Sequence, residues 1–363
     1  MNLDKCNFQS GILHNKQVIW IKFPYEHALI NDLKKKLPSA RWNPTYKSWY
    51  MPDLPAVRTA LQMPQEDIEN KWLQDIHPVN QKAMSDFINQ LQLKAYSQNT
   101  VRVYCAELKH LLLLIREYPV DKLTPERLKA YFLYCLKNEK MKERKLNGKI
   151  NAIKFYFEQV LHHNKMFFDI PRPKKPSTLP KLLTQQEIKR LFRQVTNAKH
   201  LLALQLCYGM GLRVSEVVNL KLAHINSKDK IVLIAAGKGK KDRYVPLPTS
   251  VVPLLRAYYY EFKPKEYLLE GQYGGQYSKG SVQSVFRNAM QKARINKSIG
   301  IHGLRHSYAS HLLQTGTDIR IIQDLLGHHN IKTTMIYTHV TQKQINQVKS
   351  PLDDLDGYGK SYL

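Results

Sequence analysis

Acidic residues are scarce in this chain. Asp and Glu number 29 against 56 Lys and Arg among 363 residues, a formal charge of +27. A surplus of that size repels itself unless a polyanion meets it, and nucleic acid is the commonest such partner. Cysteine is equally sparse: Cys6, Cys105, Cys135 and Cys207 stand far apart, with no CxxC pair and no His at ligand spacing. That pattern argues against a disulfide framework and against structural zinc. Eighteen consecutive apolar residues occur nowhere, and Asp4, Lys5 and Asn7 interrupt any apolar leader at the N-terminus. The expectation is a cytoplasmic, nucleoid-associated protein with no membrane partner. Internal repeats and low-complexity tracts are missing too.

What is present falls into segments. Residues 1–75 read as a small α+β module. Val18–Phe23 has the composition of a strand, a short helix follows near 26–37, and Ala40–Trp42 and Lys47–Met51 flank a turn at Asn43-Pro44-Thr45-Tyr46. Its Arg-Trp-x-Pro-x-x-Lys-x-Trp run is similar to small hairpin modules of some DNA-remodelling enzymes, and packing of a mini-core explains the tryptophans equally well. Residues 79–170 carry helical periodicity, as in Val101, Tyr104, Leu108, Leu111, Leu112 and Ile115, and again in Leu146, Ile150, Ile153, Phe157 and Val160. About four helices would form a bundle. Thr124-Pro125 supplies a cap and first-turn pair. Between two of these helices, Lys137 to Lys149 holds six basic residues against two acidic, which suits a solvated loop or a phosphate-facing edge. Residues 171–182, rich in Pro, Lys and Arg, cannot continue a helix and read as an extended basic linker between two DNA-gripping domains. A capping box at Thr184–Glu187 opens a mostly helical domain running to about 345, interrupted by a hairpin of Ile231–Ala235 and Arg243–Leu247 about a Gly237-Lys238-Gly239 turn. Residues 346–363 would be a tail. The fold class is therefore mainly α, with a small hairpin or sheet in the second domain and a small α+β module in front.

The chemistry is concentrated in this last domain. Arg213 and Arg305 are always charged, and a planar guanidinium matches two phosphate oxygens at once. His302 lies three residues before Arg305, on the same side of a helix, where it can accept a proton or bind a phosphate. His328 follows Gly327 at the end of an apolar helix, Ile319–Leu326, in the manner of a C-cap. Tyr337 would lie two turns into a short helix starting near Asn330. A phenol with pKa near 10 needs a base or nearby cations to attack at neutral pH. Lys238, between glycines, would protonate a departing oxygen. Each residue alone has an ordinary explanation as an ion pair, a cap, a core tyrosine or a solvated turn. Together, in this order and in a basic protein, they describe phosphodiester cleavage through a phosphotyrosine.

The blocks Leu212-Arg213-Val214-Ser215-Glu216, Gly237-Lys238-Gly239, His302-x-Leu304-Arg305-His306 and Leu326-Gly327-His328, with Thr333-Thr334-x-x-Tyr337-Thr338-His339-Val340, resemble the tyrosine recombinases of the phage integrase family, above all the Xer-like branch. The resemblance spans roughly residues 80–350. It implies a helical core-binding domain, a catalytic domain, and a homotetramer acting on paired sites in double-stranded DNA. It further implies a 3′-phosphotyrosine, strand exchange through a Holliday junction, and no metal, ATP or other cofactor. Carried over, Arg213 and Arg305 clamp the phosphate and Lys238 is the general acid. His302 is base or phosphate ligand, His328 a second phosphate ligand, Tyr337 the nucleophile, and Glu216 a buttress. The extra N-terminal 75 residues point to a mobile-element integrase, with accessory directionality proteins as partners. A Xer-type chromosome dimer resolvase, a type IB topoisomerase and a catalytically idle DNA-binding protein are the alternatives. The tail would be exchanged between subunits.

Overall fold

The computed structural model describes residues 6–14, 16–64, 72–163, 181–235, 242–272 and 274–338. Lys238 and its turn, residues 171–180 of the linker, and the tail from 339 onward lie outside these residues. The chain divides into two compact units, Gln62–Ser177 and the remainder, Met1–Leu61 with Thr178–Leu363.

The N-terminal module is a four-stranded antiparallel sheet in the order β1-β2-β4-β3, with β1 at Asn7–Leu13, β2 at Lys16–Lys22, β3 at Arg41–Asn43 and β4 at Ser48–Pro52. Helix α1 (His27–Lys36) buries Leu29 and Leu33, and the sheet contributes Ile19, Ile21 and Met51 to the apolar core. Trp20 sits beside Tyr46 and Tyr50, with ring centroids 4.8 and 5.7 Å away. A second short helix, α2 (Pro55–Ala60), presents Arg58 to both oxygens of Asp53 at 2.6 Å. Strand β1 was not anticipated by the sequence reading.

In the bundle, α3 (Pro78–Leu93), α4 (Gln98–Ile115), α5 (Pro125–Lys137) and α6 (Glu143–Phe155) surround a core of Phe87, Leu108, Leu112, Leu128, Phe132 and Ile153. Caps begin two of them: the Ser97 hydroxyl accepts from the backbone N–H of Thr100, and that of Thr124 from Arg127. The last turn of α6 widens into a π-helical segment, Tyr156–Val160. Lys149 departs from expectation. The basic run suggested a loop or phosphate-facing edge, yet this lysine is fully buried within α6. Its ammonium lies 2.8 Å from a Glu107 carboxylate oxygen and donates to the Tyr131 hydroxyl at 3.0 Å. Tyr131 in turn bonds His110 Nδ1 at 2.8 Å, and His110 Nε2 lies 2.9 Å from Glu139. Cys135 sits beside them, its sulfur within 4.8 Å of the His110 and Glu139 ligand atoms. A buried ammonium is tolerated because a carboxylate and a hydroxyl replace its water.

The other unit carries α7 (Gln185–Arg193), α8 (Ala198–Gly209), α9 (Val214–Val218), α10 (Val252–Phe262), α11 (Lys279–Lys292), α12 (His302–Gln314), α13 (Ile319–Leu326) and α14 (Lys332–Met335). The capping box at α7 forms as expected, Thr184 and Glu187 satisfying each other's backbone N–H. A three-stranded antiparallel sheet, β5 (Ile225–Asn226), β6 (Ile231–Ile234) and β7 (Arg243–Pro246), interrupts the helices. Apolar α8 runs through the core, packed by α10, α11 and α12. Among the described residues no helix is long and apolar enough to cross a membrane.

Candidate active site

Five segments deliver the site. Arg213 begins α9, immediately after a turn at Gly211 with φ +60°, where a Cβ would come within 2.4 Å of the Tyr308 ring. Only glycine fits that conformation and that space, so the chain can leave α8 sharply and start α9 at Arg213. Arg243 comes from β7. Its register partner is Ile234, and the residue two further along, Val245, is buried, so strand alternation turns the guanidinium inward. His302, Arg305 and His306 lie on the first turns of α12. His328 follows Gly327, whose φ of +62° ends α13 in the left-handed cap the sequence suggested. Tyr337 lies just beyond α14. The expected helix from Asn330 is shorter than anticipated, Lys332–Met335, so the tyrosine stands in the turn after it rather than two turns inside.

Glu216 is the hub. Its carboxylate accepts from the Arg213 backbone N–H at 2.8 Å and the Arg213 guanidinium at 2.7 Å. Arg243 grips it with two nitrogens at 3.0 and 2.8 Å, and Arg305 stands 3.6 Å away. The hydrogen bonds and positive charges from Arg243 and Arg213 outweigh burial and hold its pKa down at about 2. Arg305 is 1% exposed and donates to the carbonyls of Gly211, at 2.8 Å, and Leu326. Burial, then repulsion from Arg213, pushes its pKa down to about 9, which still leaves it charged at neutral pH.

Burial and the neighbouring arginines favour the neutral form of His302, His306 and His328. Arg305 also meets His328 Nε2 at 3.1 Å, and because guanidinium only donates, that nitrogen is the acceptor. The proton therefore sits on Nδ1, which donates to the Thr334 hydroxyl at 3.0 Å. Burial, Arg305 and Arg213 press the His328 pKa down to about 4, and the same causes lower that of His302. His306 is lowered to about 4 by burial, His302 and Arg305. Tyr337 is 1% exposed, and its hydroxyl lies 2.8 Å from His306 Nδ1. Burial raises its pKa, with Arg305 and Arg213 opposing the rise. A cleft of about 570 Å³ adjoins the cluster, lined by Arg243, Tyr244, Gly327, His328 and His329 among others.

Arg213, His302, Arg305, His328 and Tyr337 are thus brought together with Glu216, while Lys238 falls outside the described residues. Two participants were missed. Arg243 shows as an inward arginine only through the apolar alternation of its strand. His306 shows only as the residue four after His302, on the same helical face. Chemically, the cluster offers three guanidiniums around one carboxylate, unprotonated imidazoles, and a hydroxyl held by one of them.

Residues 84–164 match the phage integrase N-terminal SAM-like domain, and residues 181–344 match the phage integrase family. The chain is 35% identical over 274 residues to tyrosine recombinase XerA of Pyrococcus horikoshii, covering 74% of this chain and 93% of that protein. A putative integrase/recombinase, y4qK of Sinorhizobium fredii, is 33% identical over 280 residues, covering 76% and 89%. In fold, it is similar to a lambda integrase dimer bound to a COC′ core site, with TM-score 0.59 and 17% identity over 70% of this chain and 94% of that one. It is also similar to the Tn1549 transposon integrase in complex with circular intermediate DNA, with TM-score 0.56, 17% identity and the same coverage. With the two domain matches and relatives aligned over most of their length, the chain belongs to the tyrosine recombinases of the phage integrase family, enzymes that cut and rejoin DNA.

Proposed function

We propose that the chain is a mobile-element integrase that cuts double-stranded DNA at specific sites through Tyr337 and exchanges strands between paired sites. The observation that carries this reading is the charge of the Glu216 cluster. Three guanidiniums against one carboxylate leave two positive charges beside a tyrosine hydroxyl. A phosphodiester attacked by a phenolate passes through a pentacoordinate state with two negative charges, and fixed donors aimed at developing charge are the strongest lever a site has. Arg213, with 18% of its side chain exposed, and Arg305 clamp the equatorial oxygens, while Arg243 and Glu216 hold them in place. His302 and His328 contact the phosphate. His328 Nε2 accepts in the resting site, so it presents a proton to phosphate only after changing tautomer. Lys238 protonates the 5′ oxygen as it leaves. Tyrosine, unlike water, keeps the bond energy in a 3′-phosphotyrosine, so the Holliday junction forms and resolves without ATP or metal.

The architecture extends the reading. Residues 79–170 act as a core-binding domain, 171–182 as a basic linker, 183–345 as the catalytic domain and 346–363 as a tail exchanged within a homotetramer. The module 1–75 serves accessory DNA sites with directionality partners. Its exposed Trp42 and Tyr46, beside Lys47 and near Arg41, supply the stacking faces and charge such a surface uses. Chromosome dimer resolution is the second reading, favoured by 35% identity to XerA over nearly all of that protein. The test is covalent capture. The wild type incubated with nicked duplexes should yield a protein–DNA adduct whose sequenced DNA gives the target, and Tyr337→Phe should bind the same DNA and form none. An adduct with Tyr337→Phe would show that another residue attacks.

A further inference from the structure

We infer that His306, rather than His302, is the base that takes the proton from Tyr337 during cleavage. This rests on Tyr337 being the nucleophile. The phenol has to lose a proton, and few groups near it can accept one. Guanidiniums only donate. The Glu216 carboxylate is occupied by Arg213 and Arg243. His328 has its acceptor nitrogen on Arg305 and its N–H on Thr334. His302 meets His306 ring to ring, with centroids 5.2 Å apart, one helical turn from the tyrosine's partner. His306 Nδ1 is at 2.8 Å from the phenol oxygen, a hydrogen-bonding distance at which the imidazole accepts when its proton is on Nε2.

The environment suits the task. Burial and the neighbouring Arg305 and His302 keep His306 unprotonated at neutral pH, so its lone pair is available. The same environment makes the resting transfer strongly uphill, because the buried phenol is a weaker acid than usual. Transfer becomes favourable only as the phenol oxygen bonds to phosphorus and negative charge builds beside the new imidazolium. In that step the tyrosine O–H bond breaks and an N–H bond forms at Nδ1. The freed oxygen pair makes the new P–O bond. The bond to the 5′ oxygen breaks, and that oxygen collects a proton from the general acid. On rejoining, His306 returns its proton to the departing tyrosine oxygen.

The test is adduct formation by the full chain on a nicked duplex carrying its captured target sequence. His306→Ala should slow it by roughly 10²–10⁴-fold, the usual worth of a positioned base. His306→Asn, whose amide oxygen can accept the hydroxyl's hydrogen bond but not its proton, should be equally slow. Replacing Tyr337 by 2,3-difluorotyrosine, a much stronger acid than tyrosine, should bring both variants back towards the wild-type rate, since its phenol gives up the proton with less help from a base. Added imidazole should partly restore His306→Ala. His302→Ala should gain nothing from the fluorinated tyrosine. His306→Asn cutting at the wild-type rate would overturn the proposal and leave His306 as a positioning residue. So would two folded His306 variants that stay equally slow with difluorotyrosine, or a His302→Ala variant that alone is rescued. An error about the nucleophile has a different signature, an adduct formed by Tyr337→Phe.

Discussion

Two of the buried charge networks among the described residues are built to opposite specifications. In the helical bundle, Lys149 is matched by Glu107 and passes through Tyr131 to His110 and Glu139, so acids and bases are interleaved. In the other unit, Glu216 alone faces Arg213, Arg243 and Arg305, and the balance is deliberately incomplete. The Lys149–Glu107 pair is matched one to one within the bundle. The arginine cluster carries a surplus of positive charge that an incoming anion would meet. Burial of charge by itself therefore says little about function, and the residual sign says much.

The largest expected effect breaks both networks and asks what mends them. Removing one partner of a buried ion pair typically costs about 3–5 kcal/mol, so Glu107→Ala and Glu216→Ala should lower the unfolding midpoint comparably in denaturant titrations. Inorganic phosphate or a short oligonucleotide should then restore part of the loss in Glu216→Ala, where three arginines await an anion, and none in Glu107→Ala. Equal rescue of both would erase the distinction between a closed network and an open one.

Neutral replacement should separate them next. Lys149→Met with Glu107→Leu exchanges a paired charge for apolar packing, which is often neutral for stability, and should leave the rate of adduct formation unchanged. Arg243→Met should fold yet cut about 10²–10³-fold more slowly, the usual loss when a preorganised electrostatic group goes, because Glu216 loses its two-pronged partner. A slow Lys149/Glu107 variant with an intact fold would tie the bundle network to catalysis.

Acid should find the open network first. His306 and His328 have folded pKa values depressed to about 4 against an ordinary 6.5. Their neutral forms favour the folded state, so that stability is whole above pH 6.5 and drains as pH falls towards 4. Glu216, at about 2, stays ionised throughout that window. The combined loss between pH 7 and 4 should be below about 7 kcal/mol, the ceiling set by two shifts of about 2.5 pKa units at about 1.4 kcal/mol per unit, because the sites are coupled and solvent screens part of each. It should shrink in His328→Phe. A flat profile down to pH 4.5 would mean the histidines keep solvent access.

Much of this contrast could be seen in the sequence, and the parts that could not have definite causes. Motif spacing singled out Arg213, His302, Arg305, His328 and Tyr337, which the fold brings together, because Arg, His and Tyr in that order have few other reasons to recur. The bundle helices showed themselves through apolar periodicity. Lys149 misled because its charge spoke louder than its position: it lies three after Leu146 and four before Ile153, squarely on the buried face. Strand β1 stayed hidden because Asn7–Leu13 has little strand character of its own. It forms by pairing with β2, and Gly11 leaves room for the Trp20 indole, which would lie 2.4 Å from any added Cβ. His306 carried no signal of its own beyond its neighbour, since its partner Tyr337 is 31 residues away and meets it only in the folded chain.

The enclosure of Tyr337 has a kinetic meaning. Tyr337, 1% exposed and just past a four-residue helix, would on the proposed route meet a phosphate only when that segment moves aside. Every 1.4 kcal/mol by which the closed arrangement is preferred divides the reactive population by ten. On the proposed phosphotyrosine route, which runs backwards as readily as forwards, this waiting time sets how often DNA is nicked. Loosening α14, as by Thr334→Gly, should therefore raise stray nicking without raising finished recombinants, so that a gain in reactivity is read as damage.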